Sequence, residues 1–262
     1  WCYSGLARYL KTPCEIVGLQ AQGLTPDSCI TSSIDVMIEE YASRMRIHQP
    51  EGPYWLIGWS VGGMIAHSVA ACLERQGQKV GLLAMMDAYP SDLWRQFAFE
   101  SLNAKEEESM ALAALLFIAG IALPFAHSLP SLIVPKGEVL ERSQTIKLLR
   151  QHGNPLACLD DPTLDRLINV VINNRRVVGS LNHDLYHGDL LFFTAAAPRA
   201  EHWLELNAWR PYLHGKIHNI DIDCDHPGMA RPEALHQIAE HLDAAFSRFF
   251  EQSQPLVERK KI

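Results

Sequence analysis

Three kinds of segment are missing from this sequence, and each absence narrows the possible functions. No block of lysine and arginine interrupts a formal net charge of −7, so a nucleic-acid-binding surface is not expected. The longest apolar run, residues 110–125, contains Gly120 and Pro124 and is too short and too interrupted to span a bilayer. No signal peptide is visible, and because the chain begins at Trp1 rather than Met we expect it to be part of a longer protein.

Paired cysteines and metal-binding motifs are also missing. The six cysteines are scattered and none forms a C-x-x-C pair, so we expect reduced thiols in a cytoplasmic protein. The pairs His183/His187 and His214/His218 have the i, i+4 spacing of some metal ligands. Neither has the companion acid of an H-E-x-x-H motif, so no metal site is expected.

What the chain does contain is a regular alternation of strand and helix patterns. Its 262 residues are 48% hydrophobic and 20% charged, which suits a globular protein with a sizeable core. Hydrophobic periodicity predicts strands over residues 15–19, 54–59, 80–86, 189–194 and 216–223, and helices over residues 32–45, 61–76 and 232–249. This alternation predicts an α/β fold with a mostly parallel central sheet flanked by helices.

The interval 91–188 departs from that alternation. It contains helix patterns only, with helices predicted over residues 103–119 and 138–151 and a third starting at Asp161. We therefore expect residues 1–90 and 189–250 to form the core, with 91–188 as a helical insertion. Because the insertion follows a strand end, where parallel sheets carry their sites, it is expected to act as a lid. Residues 251–262 are expected to be a polar tail.

The most informative motif is a G-x-S-x-G sequence between a predicted strand and a predicted helix, at Gly58-Trp59-Ser60-Val61-Gly62. In that context it is typical of the nucleophile elbow of α/β-hydrolases. The turn is so tight that its flanking side chains must be nearly absent, which explains the two glycines. Ser60 is therefore the candidate nucleophile, and the backbone N–H of Val61 is a candidate oxyanion donor.

A serine nucleophile needs a histidine base and an acid that orients it. His226 follows the last predicted strand directly and can reach the elbow from there, which makes it the candidate base. For the acid, Asp87 ends the strand over residues 80–86, whereas Glu201 or Glu205 would lie in the loop after the strand over residues 189–194. We favour Asp87, because a carboxylate at a buried strand end carries a desolvation cost that a function would explain.

Together these residues resemble the type I thioesterase domain that ends nonribosomal peptide synthetases, a member of the α/β-hydrolase superfamily. The resemblance covers most of the chain. It is carried by the helix and strand patterns within residues 1–24, the elbow Gly58-Trp59-Ser60-Val61-Gly62-Gly63, the acid segment Met86-Asp87-Ala88-Tyr89-Pro90, and the histidine segment Cys224-Asp225-His226-Pro227-Gly228-Met229.

The resemblance implies a function and a partner. A peptidyl- or acyl-carrier-protein domain, expected upstream in the same polypeptide, would deliver the chain as a phosphopantetheine thioester. Ser60 would take up the acyl group with help from His226 and Asp87, and hydrolysis or macrocyclisation would release it. No bound cofactor is implied. In this family the second oxyanion donor comes from a loop that would lie upstream of Trp1.

Two alternatives stay open at this point. A free-standing serine esterase, a lipase or a type II editing thioesterase would more often place its acid after a later strand, as Glu201 would be. A non-catalytic α/β-hydrolase fold could serve as a binding module, although an intact serine, acid and histidine in this order argue against it.

Overall fold

The centre of the molecule is a four-stranded parallel sheet. The computed structural model describes residues 3, 5–31, 33–97, 101–121 and 139–253. The strands are in the order β1-β2-β3-β4, and each pairs with its neighbours in parallel. Their bounds are β1 Tyr54–Trp59, β2 Val80–Met86, β3 Leu190–Ala195 and β4 Ile217–Ile222. The predicted parallel α/β sheet is therefore confirmed, with these four strands within two residues of their expected ends.

The helices connect and cover these strands. They are α1 Leu6–Tyr9, α2 Ile34–His48, α3 Val61–Arg75, α4 Ser91–Phe97, α5 Ala104–Ile118, α6 Arg142–Gln151, α7 Asp161–Ser180 and α8 Pro232–Ser253. Shorter 3-10 turns occupy Pro155–Cys158, Leu206–Tyr212 and Pro227–Ala230. Helix α5 begins at a capping box formed by Asn103 and Glu106, whose side chains each accept a backbone N–H of the other residue.

Strand β2 is covered on both faces of the sheet, which explains why it is apolar throughout. Its residues Leu83 and Met85 pack against α2 and α3, while Ala84 and Met86 pack against α1 and α8. All four side chains are completely buried. A parallel strand covered on two faces has no polar side, so the alternation seen in half-exposed strands does not occur.

The chain between β2 and β3 is helical in its described parts and has a hydrophobic cluster of its own. Helices α5, α6 and α7 bury residues such as Leu112, Leu149 and Ile168 against one another. Helix α6 starts at Arg142, four residues after the predicted start at Glu138, which lies outside the described residues.

One predicted strand is wrong. Residues 15–19 form no strand, and every side chain in this segment is exposed, including Ile16, Val17 and Leu19. A strand is stable only when its backbone groups pair with a neighbouring strand. In the described sheet β1 pairs only with β2 and β4 only with β3, so this segment has no such partner among the described residues. Most of the predicted tail, 254–262, lies outside the described residues.

Candidate active site

Ser60 occupies a strained turn between β1 and α3. Its φ of 55° and ψ of −126° lie in a region that non-glycine residues rarely adopt. The turn is held by the N–H of Ser60, which donates to the carbonyl of Met86 at 3.0 Å. A Cβ on Gly58 would lie 2.2 Å from the carbonyl oxygen of Gly62, so the strand and the first turn of α3 can approach only without a side chain there.

The tight packing at the elbow extends one residue beyond the motif. A Cβ on Gly63 would lie 2.4 Å from the Cβ of Ala88, which follows β2. Gly63 thus brings the elbow close to the chain segment that carries Asp87. The N–H of Val61 belongs to the first turn of α3, and N–H groups there have no acceptor within the helix. This is the geometry expected of an oxyanion donor.

Asp87 lies at the carboxyl end of β2, next to the elbow in the sheet. Only 2% of its surface is exposed, and its φ of 45° is also positive. Oδ1 accepts hydrogen bonds from the hydroxyl of Tyr89 at 3.0 Å, the N–H of Ala195 at 3.2 Å and Nη2 of Arg199 at 2.9 Å. Oδ2 accepts one from Nη1 of Arg199 at 3.2 Å and lies 2.7 Å from Nδ1 of His226.

The ionisation of Asp87 follows from these contacts. Burial by itself would raise its pKa, but the hydrogen bond and charge of His226, followed by those of Arg199, outweigh burial and hold the pKa below its usual range. Asp87 is therefore a carboxylate at neutral pH. Since a carboxylate can only accept, Nδ1 of His226 carries a proton, and its Nε2 is left as the acceptor.

The imidazole of His226 comes from the loop after β4 and lies among aromatic side chains. Its ring centroid is 5.3 Å from that of Trp59, the residue before Ser60, and 6.1 Å from that of Phe117 on α5. Ser60, Asp87 and His226 thus come from three different strand ends at one edge of the sheet. Parallel strands collect their carboxyl ends at the same edge, which is why residues so far apart in sequence meet there.

The rival acids lie elsewhere in the loop after β3. Glu201 is 5% exposed, and its negative charge acts on Arg199. Glu205 is exposed and precedes the 3-10 turn Leu206–Tyr212. It is Asp87 whose carboxylate contacts the His226 ring.

Sequence reasoning missed two residues at this site. Tyr89 and Arg199 both hydrogen-bond to Asp87, and the Arg199 guanidinium lies over the Tyr89 ring. The only sequence signal was an arginine four residues after β3, at the edge of the sheet where the other site residues were expected. His67 is completely buried on α3, where its Nε2–H donates to the carbonyl of Tyr212.

The described residues contain neither a membrane-spanning helix nor a metal-binding cluster. Within the described helices, none is long and apolar enough to cross a membrane. No group of three or more His, Cys, Asp and Glu side chains in this part of the chain is arranged to hold a metal ion.

The chain is similar to nonribosomal peptide synthetases and to a thioesterase domain. A dimodular nonribosomal peptide synthase of Bacillus subtilis is 35% identical over 243 residues, which is 92% of this chain but 10% of that protein. The four-domain nonribosomal peptide synthetase AB3403 superposes with a TM-score of 0.75 at 22% identity, covering 94% of this chain and 18% of that one. The Vlm2 thioesterase domain superposes with a TM-score of 0.67 at 22% identity, covering 93% and 88%.

The two solved structures show that this chain shares their fold. The chain spans about a tenth of the length of the Bacillus relative. A family model described as "Thioesterase domain" matches residues 1–246, nearly the whole sequence. The chain therefore belongs to the thioesterase domain family.

Proposed function

We propose that this domain releases a completed peptidyl or acyl chain from a carrier-protein thioester, using Ser60 as nucleophile, His226 as general base and Asp87 as the acid that orients it. The observation that carries the proposal is the 2.7 Å contact between Nδ1 of His226 and the buried carboxylate of Asp87, beside a strained serine elbow. Membership of the thioesterase domain family supports the reaction class.

The first half-reaction is acyl transfer to the enzyme. The Ser60 hydroxyl attacks the thioester carbonyl while Nε2 of His226 takes its proton, and the carbonyl oxygen becomes an oxyanion that the N–H of Val61 stabilises. The intermediate collapses with cleavage of the C–S bond. The thiolate of the phosphopantetheine arm leaves and takes up the proton held by His226, which returns the imidazole to its neutral form. Asp87 remains ionised throughout this step and stabilises the charged imidazole.

The second half-reaction releases the product. Water, or an amine or hydroxyl of the bound chain itself, loses a proton to His226 and attacks the ester carbonyl of the acyl-enzyme. Cleavage of the ester C–O bond returns the proton to Ser60. Water gives a linear acid, whereas an internal nucleophile gives a macrocycle.

We further propose that residues 91–188 form a lid over this site. The support comes from Phe117 on α5, whose ring stacks near His226 at an interplanar angle of 20°. An apolar side chain there would exclude bulk water from the acyl-enzyme and favour an apolar acyl chain. The carrier domain, its phosphopantetheine arm and the acyl chain are the substrate and partner in this proposal.

Ser60→Ala tests the proposal. A carrier protein loaded with an acyl-phosphopantetheine thioester is mixed with the domain, and free acid, cyclic product and free holo-carrier are quantified by mass spectrometry. We expect release to fall to the uncatalysed rate in Ser60→Ala and to persist in the control Ser247→Ala, an exposed serine on α8. Release by Ser60→Ala at the wild-type rate would refute the proposal.

A further inference from the structure

We propose that Arg199 is a positioning residue for this reaction: its guanidinium fixes the carboxylate of Asp87 and places a second positive charge near His226. The proposal rests on the proposed function, since it assigns a role beside Ser60, Asp87 and His226. It concerns a residue that binds the acid and acts on the reaction through it.

The geometry of the ion pair is that of a two-point clamp. Nη2 of Arg199 donates to Oδ1 of Asp87 at 2.9 Å and Nη1 donates to Oδ2 at 3.2 Å. The same guanidinium also donates to the backbone carbonyl of Ala195, at the end of β3. A planar fork that binds both oxygens fixes the rotation of a carboxylate, which a single contact cannot do. Arg199 therefore sets the direction in which Oδ2 presents itself to His226.

The clamp also has an electrostatic consequence for the base. Nη1 of Arg199 and Nδ1 of His226 share Oδ2 at 3.2 and 2.7 Å, so the two nitrogens are no more than about 6 Å apart. Two positive charges at that distance repel each other. Asp87 favours the charged imidazole, whereas Arg199 opposes it. Removing the arginine should therefore change the pH dependence of the acylation rate.

Two neighbouring residues, Tyr89 and Glu201, also interact with the Arg199 guanidinium. Its guanidinium lies over the ring of Tyr89 with 5.6 Å to the centroid, and the charge of Glu201 acts on it from the loop after β3. The side chain is 20% exposed and lines an open depression of about 340 Å³ together with Glu201 and His202. When this side chain is shortened, water can fill the space that it leaves. Variants at position 199 are therefore suitable for experiments.

The test is the pH dependence of Ser60 acylation by an N-acetylcysteamine thioester, measured as kcat/KM for wild type, Arg199→Met and Arg199→Lys. Each rate is divided by the concentration of active sites found by fluorophosphonate titration. For Arg199→Met we expect the midpoint of the rise with pH to move up, because the opposing charge is gone. Its plateau should fall by about 10- to 100-fold, as when other orienting partners are lost.

Arg199→Lys separates the two parts of the role. Lysine keeps the charge but cannot bind both oxygens, so the midpoint should stay at the wild-type value while the plateau falls. The control Arg210→Met removes an exposed arginine of the turn Leu206–Tyr212 and should match wild type in both. A purely structural role would change the active fraction and leave the corrected midpoint where it was.

Two outcomes would overturn the proposal. One is that the pH profile of Arg199→Met, corrected for active sites, has the same midpoint as that of wild type. The other is that kcat/KM of Arg199→Lys reaches the wild-type plateau. This second outcome is decisive even if Arg199→Met fails to fold. If the proposed function itself were wrong, a different result would show it: Ser60→Ala would still be acylated by the same thioester.

Discussion

Replacing Asp87 by asparagine should damage this protein in two measurable ways. Five hydrogen-bond contacts converge on the two carboxylate oxygens, from Tyr89, Ala195, His226 and twice from Arg199. An asparagine side chain of the same shape has one acceptor oxygen and places an NH₂ group where the other oxygen was. Whichever way it turns, at least one donor faces another donor.

The size of the stability effect follows from that mismatch. Asp87 is buried, and Asp87→Asn removes the negative partner of Arg199, so the cost is comparable with breaking a buried ion pair from one side. We expect the free energy of unfolding in urea to fall by about 3 kcal/mol. The exposed fifth of the Arg199 side chain places the value at the lower end of the usual range.

The kinetic effect is larger because the imidazole loses its orientation. With an NH₂ group opposite Nδ1, His226 would be driven to the tautomer whose Nε2 carries the proton and cannot accept one from Ser60. We expect acylation of Ser60 to slow by about 10⁴-fold near neutral pH, measured by stopped-flow release of thiol and corrected for the folded fraction.

The matched comparison is Glu201→Gln, which removes a buried carboxylate from the loop after β3. Because the charge of Glu201 acts on Arg199, whereas the carboxylate of Asp87 contacts the His226 ring, we expect less than about tenfold loss of rate. The reasoning would be refuted if Asp87→Asn acylated within tenfold of wild type while Glu201→Gln abolished acylation. That result would favour an esterase-like or type II arrangement with the acid after the later strand.

Two further predictions concern the rings of His67, which is buried, and Phe117, which is partly buried. Burial lowers the pKa of His67 from 6.5 to about 4, so the folded state binds fewer protons than the unfolded state, and stability should fall by about 3 kcal/mol from pH 6.5 to 4. His67→Gln should flatten this part of the urea-derived stability curve and the exposed His236→Gln should not; equal slopes in wild type and His67→Gln would contradict the prediction. Phe117→Ala should raise KM for a long-chain acyl thioester by about three- to tenfold, because the ring beside His226 is lost. The exposed neighbour Ile118→Ala is the control, and an unchanged KM in Phe117→Ala would rule out substrate contact by this ring.

Much of the fold could be predicted because its signals are local. The apolar run of β2 needs only burial on two faces, and the capping box at Asn103 is complete within four residues. The strand predicted over residues 15–19 failed for the opposite reason, since a strand depends on a partner that its own sequence does not specify.

Some residues of the candidate site could be predicted from the sequence, and others could not. Ser60 could be chosen from its elbow motif, and Asp87 and His226 from their positions after strands, because strand ends of a parallel sheet converge. Arg199 and Phe117 could not be chosen. Their importance comes from which atoms they contact across the sheet edge, and neither lies in a motif that marks such a contact. The close approach of Gly63 to Ala88 belongs with them, because the elbow motif includes this glycine but does not show which loop it contacts.

The central claim is that one hydroxyl, on residue 60, carries the acyl group between carrier and product. Its most direct test is peptide mapping by mass spectrometry after the domain is mixed with an acyl thioester and quenched in acid within a single turnover. We predict an added acyl mass on the peptide containing Ser60 in wild type, and none above background in His226→Ala. An acyl adduct on another residue, or one on Ser60 that forms equally fast without His226, would contradict the account.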